Sequence, residues 1–103
     1  MDIPDPVLHR LLHVFRNDNA IDKVYLYGSR ARGDNRPNSD IDLALLGDNI
    51  KSSVILAIQE AAGLYKVDVI NLSDEWDRDF VEEFEKDAVL IYELETSAAL
   101  QAH

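Results

Sequence analysis

Apolar residues recur along the chain at two different periods, and the changes of period mark the elements. After Pro4-Asp5-Pro6, which offers a helix cap and a first-turn proline, Val7, Leu8, Leu11, Leu12 and Phe15 keep helical spacing. This predicts a helix ending near Asn17-Asp18-Asn19. Val24-Tyr25-Leu26-Tyr27 is a short β-prone run stopped by Gly28, and Ser29-Arg30-Ala31-Arg32 suits a single helical turn leaving that strand. Asp34-Asn35-Arg36-Pro37-Asn38-Ser39 is dense in turn formers. From Asp40 to Leu46 the period is two, with Ile41, Leu43 and Leu45 on one face and Asp40 and Asp42 on the other. Asn49 is placed to cap a helix carrying Val54, Ile55, Ile58, Ala61 and Ala62, with Gly63 to end it. Tyr65 to Leu72 reads as a third strand. A Ser73 cap, then Trp76, Phe80 and Phe84 with Val81 beside them, predict an amphipathic helix with this stripe in the core. Ala88 to Tyr92 is a last short strand, and Glu93 to His103 a helical extension or frayed tail. The order points to one α/β (α+β) domain over residues 1–103, a sheet of about four strands layered with helices.

Composition narrows the classes of function. The chain has 103 residues and a net charge of −10, which argues against broad contact with nucleic acid, since that contact draws on clustered Lys and Arg. With no cysteine there is no disulfide framework, thiolate metal site or cysteine nucleophile, which fits a reducing compartment. No apolar run approaches the roughly 18 residues needed to cross a bilayer, and the start of the chain lacks the basic flank of a signal peptide. A cytoplasmic protein without membrane contact is the expectation.

The informative chemistry lies in Gly28-Ser29-Arg30-Ala31-Arg32-Gly33 and Ser39-Asp40-Ile41-Asp42-Leu43. Two carboxylates at i and i+2 on a strand share one side and repel each other unless a cation sits between them. Mg²⁺ suits the position, because it takes one or two protein carboxylates and completes its shell with water and substrate phosphates. At the strand-to-turn corner, Gly28 lets an anion approach the backbone and Ser29 adds a hydroxyl donor. Arg30, Arg32 and Arg36 place three of the ten basic residues in this region, a positive cradle in an acidic protein. Asp68, alone in the apolar run Lys66-Val67-Asp68-Val69-Ile70, would neighbour the acidic strand and complete a carboxylate triad suited to nucleotidyl transfer. Its plainer reading is a structural acid paired with Lys66 or an arginine. For Asp40 and Asp42 the plainer reading is a solvated strand edge.

Other motifs weigh less. A phosphate-binding P-loop needs Lys and then Ser or Thr after the second glycine, where this chain has Asp34-Asn35. His9 and His13 stand one helical turn apart with no third metal ligand evident, and read as a surface pair. Residues 74–87 carry eight acids and two bases, a solvated face that would also suit a basic partner.

Gly28-Ser29, ten residues, then Asp40-x-Asp42 resembles the signature of the DNA polymerase β-like nucleotidyltransferase superfamily. Within it the chain is most similar to the minimal MNT-type, MntA-like antitoxins. The resemblance implies a polymerase β-like palm domain and Mg²⁺-dependent transfer of AMP from ATP, with two ions, onto a tyrosine of a cognate HEPN ribonuclease toxin, which is thereby silenced. It further implies that Gly28 and Ser29 hold the triphosphate, that Asp40 and Asp42 hold metal, and that Asp68 assists the acceptor hydroxyl. Arg30 and Arg32 either touch phosphates or face the partner. Two alternatives stay open: an antitoxin that neutralises by occlusion without catalysis, and a transferase for a small molecule such as an aminoglycoside. The absence of an acceptor domain weighs against the second.

Overall fold

A computed structural model describes residues 2–72 and 78–94, without the side chains of residues 78, 80, 81 and 83. In order these form α1 (Asp5–Arg16), β1 (Ile21–Tyr27), α2 (Ser29–Arg32), β2 (Ile41–Gly47), α3 (Ser52–Ala61), β3 (Val67–Asn71), α4 (Arg78–Asp87) and β4 (Val89–Glu93). The strands build one mixed sheet in the order β3-β2-β1-β4. β1 is antiparallel to both β2 and β4, while β2 and β3 run parallel, joined by the crossover through α3. The architecture is the expected α+β sheet with covering helices.

Alternation along β2 decides what each face of the sheet is for. Ile41, Leu43 and Leu45 are fully buried with Val24 and Leu26 of β1, Leu11 and Phe15 of α1, and Ile58 of α3. Each such aliphatic side chain contributes roughly 1.5–3 kcal/mol on burial. The opposite face carries a smaller cluster of Ala44, Leu72 and Phe84, with Tyr25, Tyr27 and Ile70 packed against it. A one-residue slip of β2 would turn the aliphatic set to the thin face and drive Asp42 into the main core, so packing forces the carboxylate outward.

Several boundaries differ from the expectation: β2 runs Ile41–Gly47, which leaves Asp40 just outside the ladder, and β4 runs Val89–Glu93, each one residue later than expected. β1 starts at Ile21 rather than Val24, because Ile21 is fully buried and pairs with Gly47 across a register shift. The polar pair Asp22-Lys23 hides that start in the sequence. Asn49 does not cap α3. It takes a left-handed φ of 61°, and α3 begins at Ser52 after Lys51 in extended backbone. β3 is confined to Val67–Asn71, since Tyr65 precedes the ladder and packs against the main core. The proposed Ser73 cap, Trp76 and the tail from Glu95 lie outside the described residues. No helix among the described residues is long and apolar enough to cross a membrane.

Candidate functional site: carboxylates beside a glycine corner

The site is assembled where β1 ends, β2 begins and β3 runs alongside. In the parallel register Asp42 of β2 sits directly beside Asp68 of β3, and across the antiparallel pair it faces Tyr27 of β1. Neighbouring strands lie about 4.8 Å apart, which places the two aspartates on one face at short range. Asp40 immediately precedes β2, outside the ladder. Asp42 is half-buried, Asp40 likewise, and Asp68 is exposed.

Their charges are coupled. Burial holds the Asp42 carboxyl above the usual aspartate range, the negative charges of Asp68 and Asp40 push it further up, and Arg32 pulls it back. Three acids and one arginine thus share a single electrostatic neighbourhood. Among the described residues no three acids or histidines close into a cage that would hold a cation unaided. Asp42 and Asp68, side by side, offer the one or two carboxylates that a hard divalent cation takes before it draws its remaining oxygens from water and phosphate.

Gly28 supplies the second half of the site. Its φ of 74° and ψ of −155° fall in a region open essentially only to glycine. A β-carbon there would collide with Asp42 Oδ2, so the missing side chain is what lets the corner close on the carboxylate. From this corner α2 turns through one helical turn, with Ala31 and Arg32 N–H groups donating to the Gly28 carbonyl, and closes on Gly33 in the left-handed conformation. Ser29 is half-exposed at its start.

The two arginines separate in role. Arg32 is exposed and reaches Asp34 Oδ2 at 3.1 Å and Asp87 Oδ2 at 3.7 Å, which raises its already high pKa. It remains beside the carboxylates. Arg30, expected to touch phosphate or a partner, does neither: it is 2% exposed, and its guanidinium donates to the carbonyls of Asp2, Pro37 and Ser39. Those bonds occupy four of the five N–H donors that a guanidinium has.

Several neighbours of the site were not marked by the sequence reading. Asp34, two residues after Arg32, was visible as a local ion-pair candidate, whereas Asp87 comes to Arg32 only through the fold. Tyr25 and Tyr27 form an aromatic wall beside Asp42, each with its ring against Phe84, at centroid separations of 5.3 and 5.6 Å. His9 and His13 are exposed on α1 and remote in role from this face.

Against known proteins, residues 9–97 match the family described as Polymerase beta, Nucleotidyltransferase. No curated protein sequence matches the chain. Among solved structures, a toxin-antitoxin with AMP-PNP superposes with a TM-score of 0.64 at 22% identity, covering 92% of this chain and 80% of the other. A mutant of the toxin-antitoxin MntA-HpeT gives 0.65 at 19% identity with the same coverage. A protein from Sulfolobus solfataricus described as a nucleotidyltransferase gives 0.51 at 23% identity, covering 86% and 78%. At these identities the structural likenesses speak for the fold, and the family match spans nearly all of it. With its glycine corner, its paired carboxylates and its mixed sheet in place, the chain belongs to the polymerase beta nucleotidyltransferase family.

Proposed function

We propose that this chain is the antitoxin of a toxin–antitoxin pair and acts as an Mg²⁺-dependent adenylyltransferase on a tyrosine of its HEPN ribonuclease partner. The observation that carries the reading is Asp42 standing beside Asp68 in the sheet, with the side-chain-free Gly28 corner closed on Asp42 and Asp40 two residues ahead of it. Two similar structures support the pairing: one toxin-antitoxin was solved with AMP-PNP, and in the other the mutant replaces two aspartates, two positions apart, with glutamate. That spacing is the spacing of Asp40 and Asp42. The absence of cysteine and of any membrane-crossing helix among the described residues agrees with a cytoplasmic site of action.

The donor set fits magnesium: burial first, and then the negative charges of Asp68 and Asp40, lift Asp42, and a divalent cation relieves that repulsion. Asp40 and Asp42 would hold it, with Asp68 beside them. Bound there, one or two ions would neutralise the triphosphate and stabilise the attacking and leaving oxygens. Gly28 and Ser29 admit the phosphates to the backbone, and Arg32, whose charge reaches Asp42, supplies positive charge. Asp68, the most exposed of the three acids, would take the proton of the acceptor hydroxyl. The tyrosine oxygen then bonds to the α-phosphorus as the bond to the β-phosphate oxygen breaks and pyrophosphate leaves.

Intact-mass measurement of the partner after incubation with this chain, ATP and Mg²⁺ tests the reading. The expected result is a gain of one or more whole AMP units on a tyrosine; neutralisation with no change of mass would replace it by occlusion alone.

A pH dependence follows from the raised Asp42. Ligation needs the ionised carboxylate, so Mg²⁺ affinity should hold steady near neutral pH and decline on acidification, starting above the range where an ordinary aspartate protonates, near about 3.9. Asp68→Asn removes one repelling charge and should move the decline to lower pH. Calorimetric titrations across pH check both, and an unmoved midpoint in the variant would contradict the coupling.

A further inference from the structure

We infer that Arg30 is a positioning residue for Asp40: its buried guanidinium clamps the peptide joining Ser39 to Asp40 and so sets how the Asp40 carboxylate enters the site. The purpose of that clamp rests on the nucleotidyltransferase reading, whereas the clamp stands on geometry.

Asp42 and Asp68 are held by the sheet ladder, each in register with its neighbour. Asp40 is held by the sheet on one side alone: the peptide after it is fixed by the Ile41 N–H donating to the Lys66 carbonyl at 2.8 Å, while the peptide before it precedes β2. What precedes it is a loop turned on itself between Arg36 and Ser39, where the Ser39 N–H donates to the Arg36 carbonyl at 3.0 Å, and the Ser39–Asp40 peptide lies outside the sheet. The Ser39 carbonyl, which belongs to the same peptide plane as the Asp40 N–H, accepts from Arg30 Nε at 3.1 Å and from Nη2 at 2.9 Å. Nη2 also donates to the Pro37 carbonyl at 3.1 Å, so the loop is gripped at two points.

The clamp is itself held rigid. The guanidinium carbon lies 5.1 Å from the centre of the Tyr65 ring, and Nη1 donates to the Asp2 carbonyl at 3.0 Å. The Asp2 N–H in turn donates to the Arg30 carbonyl at 2.8 Å, and its carboxylate accepts from Asn35 Nδ2 at 2.6 Å. Within the loop, the Arg36 N–H donates to Ser39 Oγ at 2.8 Å. Arg30 follows Gly28-Ser29 directly and reaches across to Ser39, so one side chain ties the glycine corner to the first acid. A planar fork with several fixed donors does this, and a lysine ammonium cannot reproduce it.

The test uses the whole chain and four variants: Arg30→Lys, Tyr65→Leu, Asp40→Asn and the Arg30→Lys, Asp40→Asn pair. Backbone ¹⁵N relaxation should show the Asp40 amide as ordered as Leu43 in the native chain, and its order parameter should drop toward about 0.6 in Arg30→Lys while Leu43 stays rigid. Mg²⁺ titration by calorimetry should show affinity about 10-fold weaker in Arg30→Lys, the usual scale for losing a group that orients a ligand. In the Asp40→Asn background the same substitution should cost no further affinity, although it still lowers Tm. If Arg30→Lys does not fold, Tyr65→Leu, which removes the ring beside the guanidinium and part of its packing on the main core but leaves every Arg30 donor in place, should give the same loss of order in milder form. An Asp40 amide that stays rigid in a folded variant, or an affinity loss of equal size with and without Asp40, overturns the inference. Failure of the native chain to bind Mg²⁺, with Asp40 order still dependent on Arg30, would count against the metal site and leave the clamp standing.

Discussion

Replacing Asp40 and Asp42 together with alanine leaves a folded chain that transfers no nucleotide, a loss expected to exceed about 1,000-fold in rate, or roughly 4 kcal/mol of transition-state stabilisation. The fold survives because neither carboxylate supports the core: Ile41, Leu43 and Leu45, on the opposite face, carry the packing. Stability should even improve when metal is absent. Asp42 titrates above the ordinary range in the fold, so its ionised form is disfavoured there relative to the unfolded chain. Its contribution to stability is present at low pH and is lost as pH rises through that raised value. At neutral pH the group is therefore a cost, and Asp42→Asn alone should raise Tm by about 1–4 °C once partial exposure and screening are discounted. Added Mg²⁺ should stabilise the native chain and leave both variants unchanged. Thermal melts with and without Mg²⁺, beside a transfer assay, read all of this. Full residual transfer in the double variant would refute the site.

The second large effect is expected at Gly28. Gly28→Ala introduces a β-carbon into backbone with a φ of 74° and against the Asp42 carboxylate. Holding a non-glycine residue in that conformation costs about 1–3 kcal/mol, which in a domain of this size lowers Tm by roughly 5–15 °C. Activity should fall further than the melt explains, by about 100-fold or more, because Asp42 must move away from the corner and a displacement near 1 Å is enough for such a loss. Gly33→Ala is the matched control. Gly33 also has positive φ, at 86°, but a β-carbon there meets nothing within 4 Å. It should cost about 1 kcal/mol and leave transfer intact. Equal activity losses at the two positions would show that backbone strain, and not the fit against Asp42, is what matters at Gly28.

Much of this molecule was legible before folding was considered. The helical spacing from Val7 to Phe15 and the alternation from Asp40 to Leu46 both describe one element meeting one apolar face, so each can be read locally. The glycine-serine corner and the Asp40-x-Asp42 pair belong to one short stretch and were readable for the same reason. The neighbourhood of Asp68 was recoverable as well: its apolar run reads as a strand beside the acidic one, and it pairs in parallel with β2, Asp42 against Asp68.

What stayed hidden depends on contacts between distant segments. The start of β1 at Ile21 is set by pairing with Gly47, and Asn49 gives up its capping role because the chain must turn there with positive φ. Arg30 is the sharpest case. As a residue type it signals exposed charge and phosphate, and its neighbour Arg32 is indeed exposed; yet Arg30 is enclosed because Asp2, the Pro37–Ser39 loop and Tyr65 converge on it from three separate stretches. Periodicity and local chemistry therefore dictated the elements, the acidic strand and the glycine corner. The partners of Arg30, and the pairing of Arg32 with Asp87, were settled by the folded chain alone, because a hydrogen bond or ion pair is chosen by proximity in space, and proximity between residues far apart in sequence exists only once the sheet has closed.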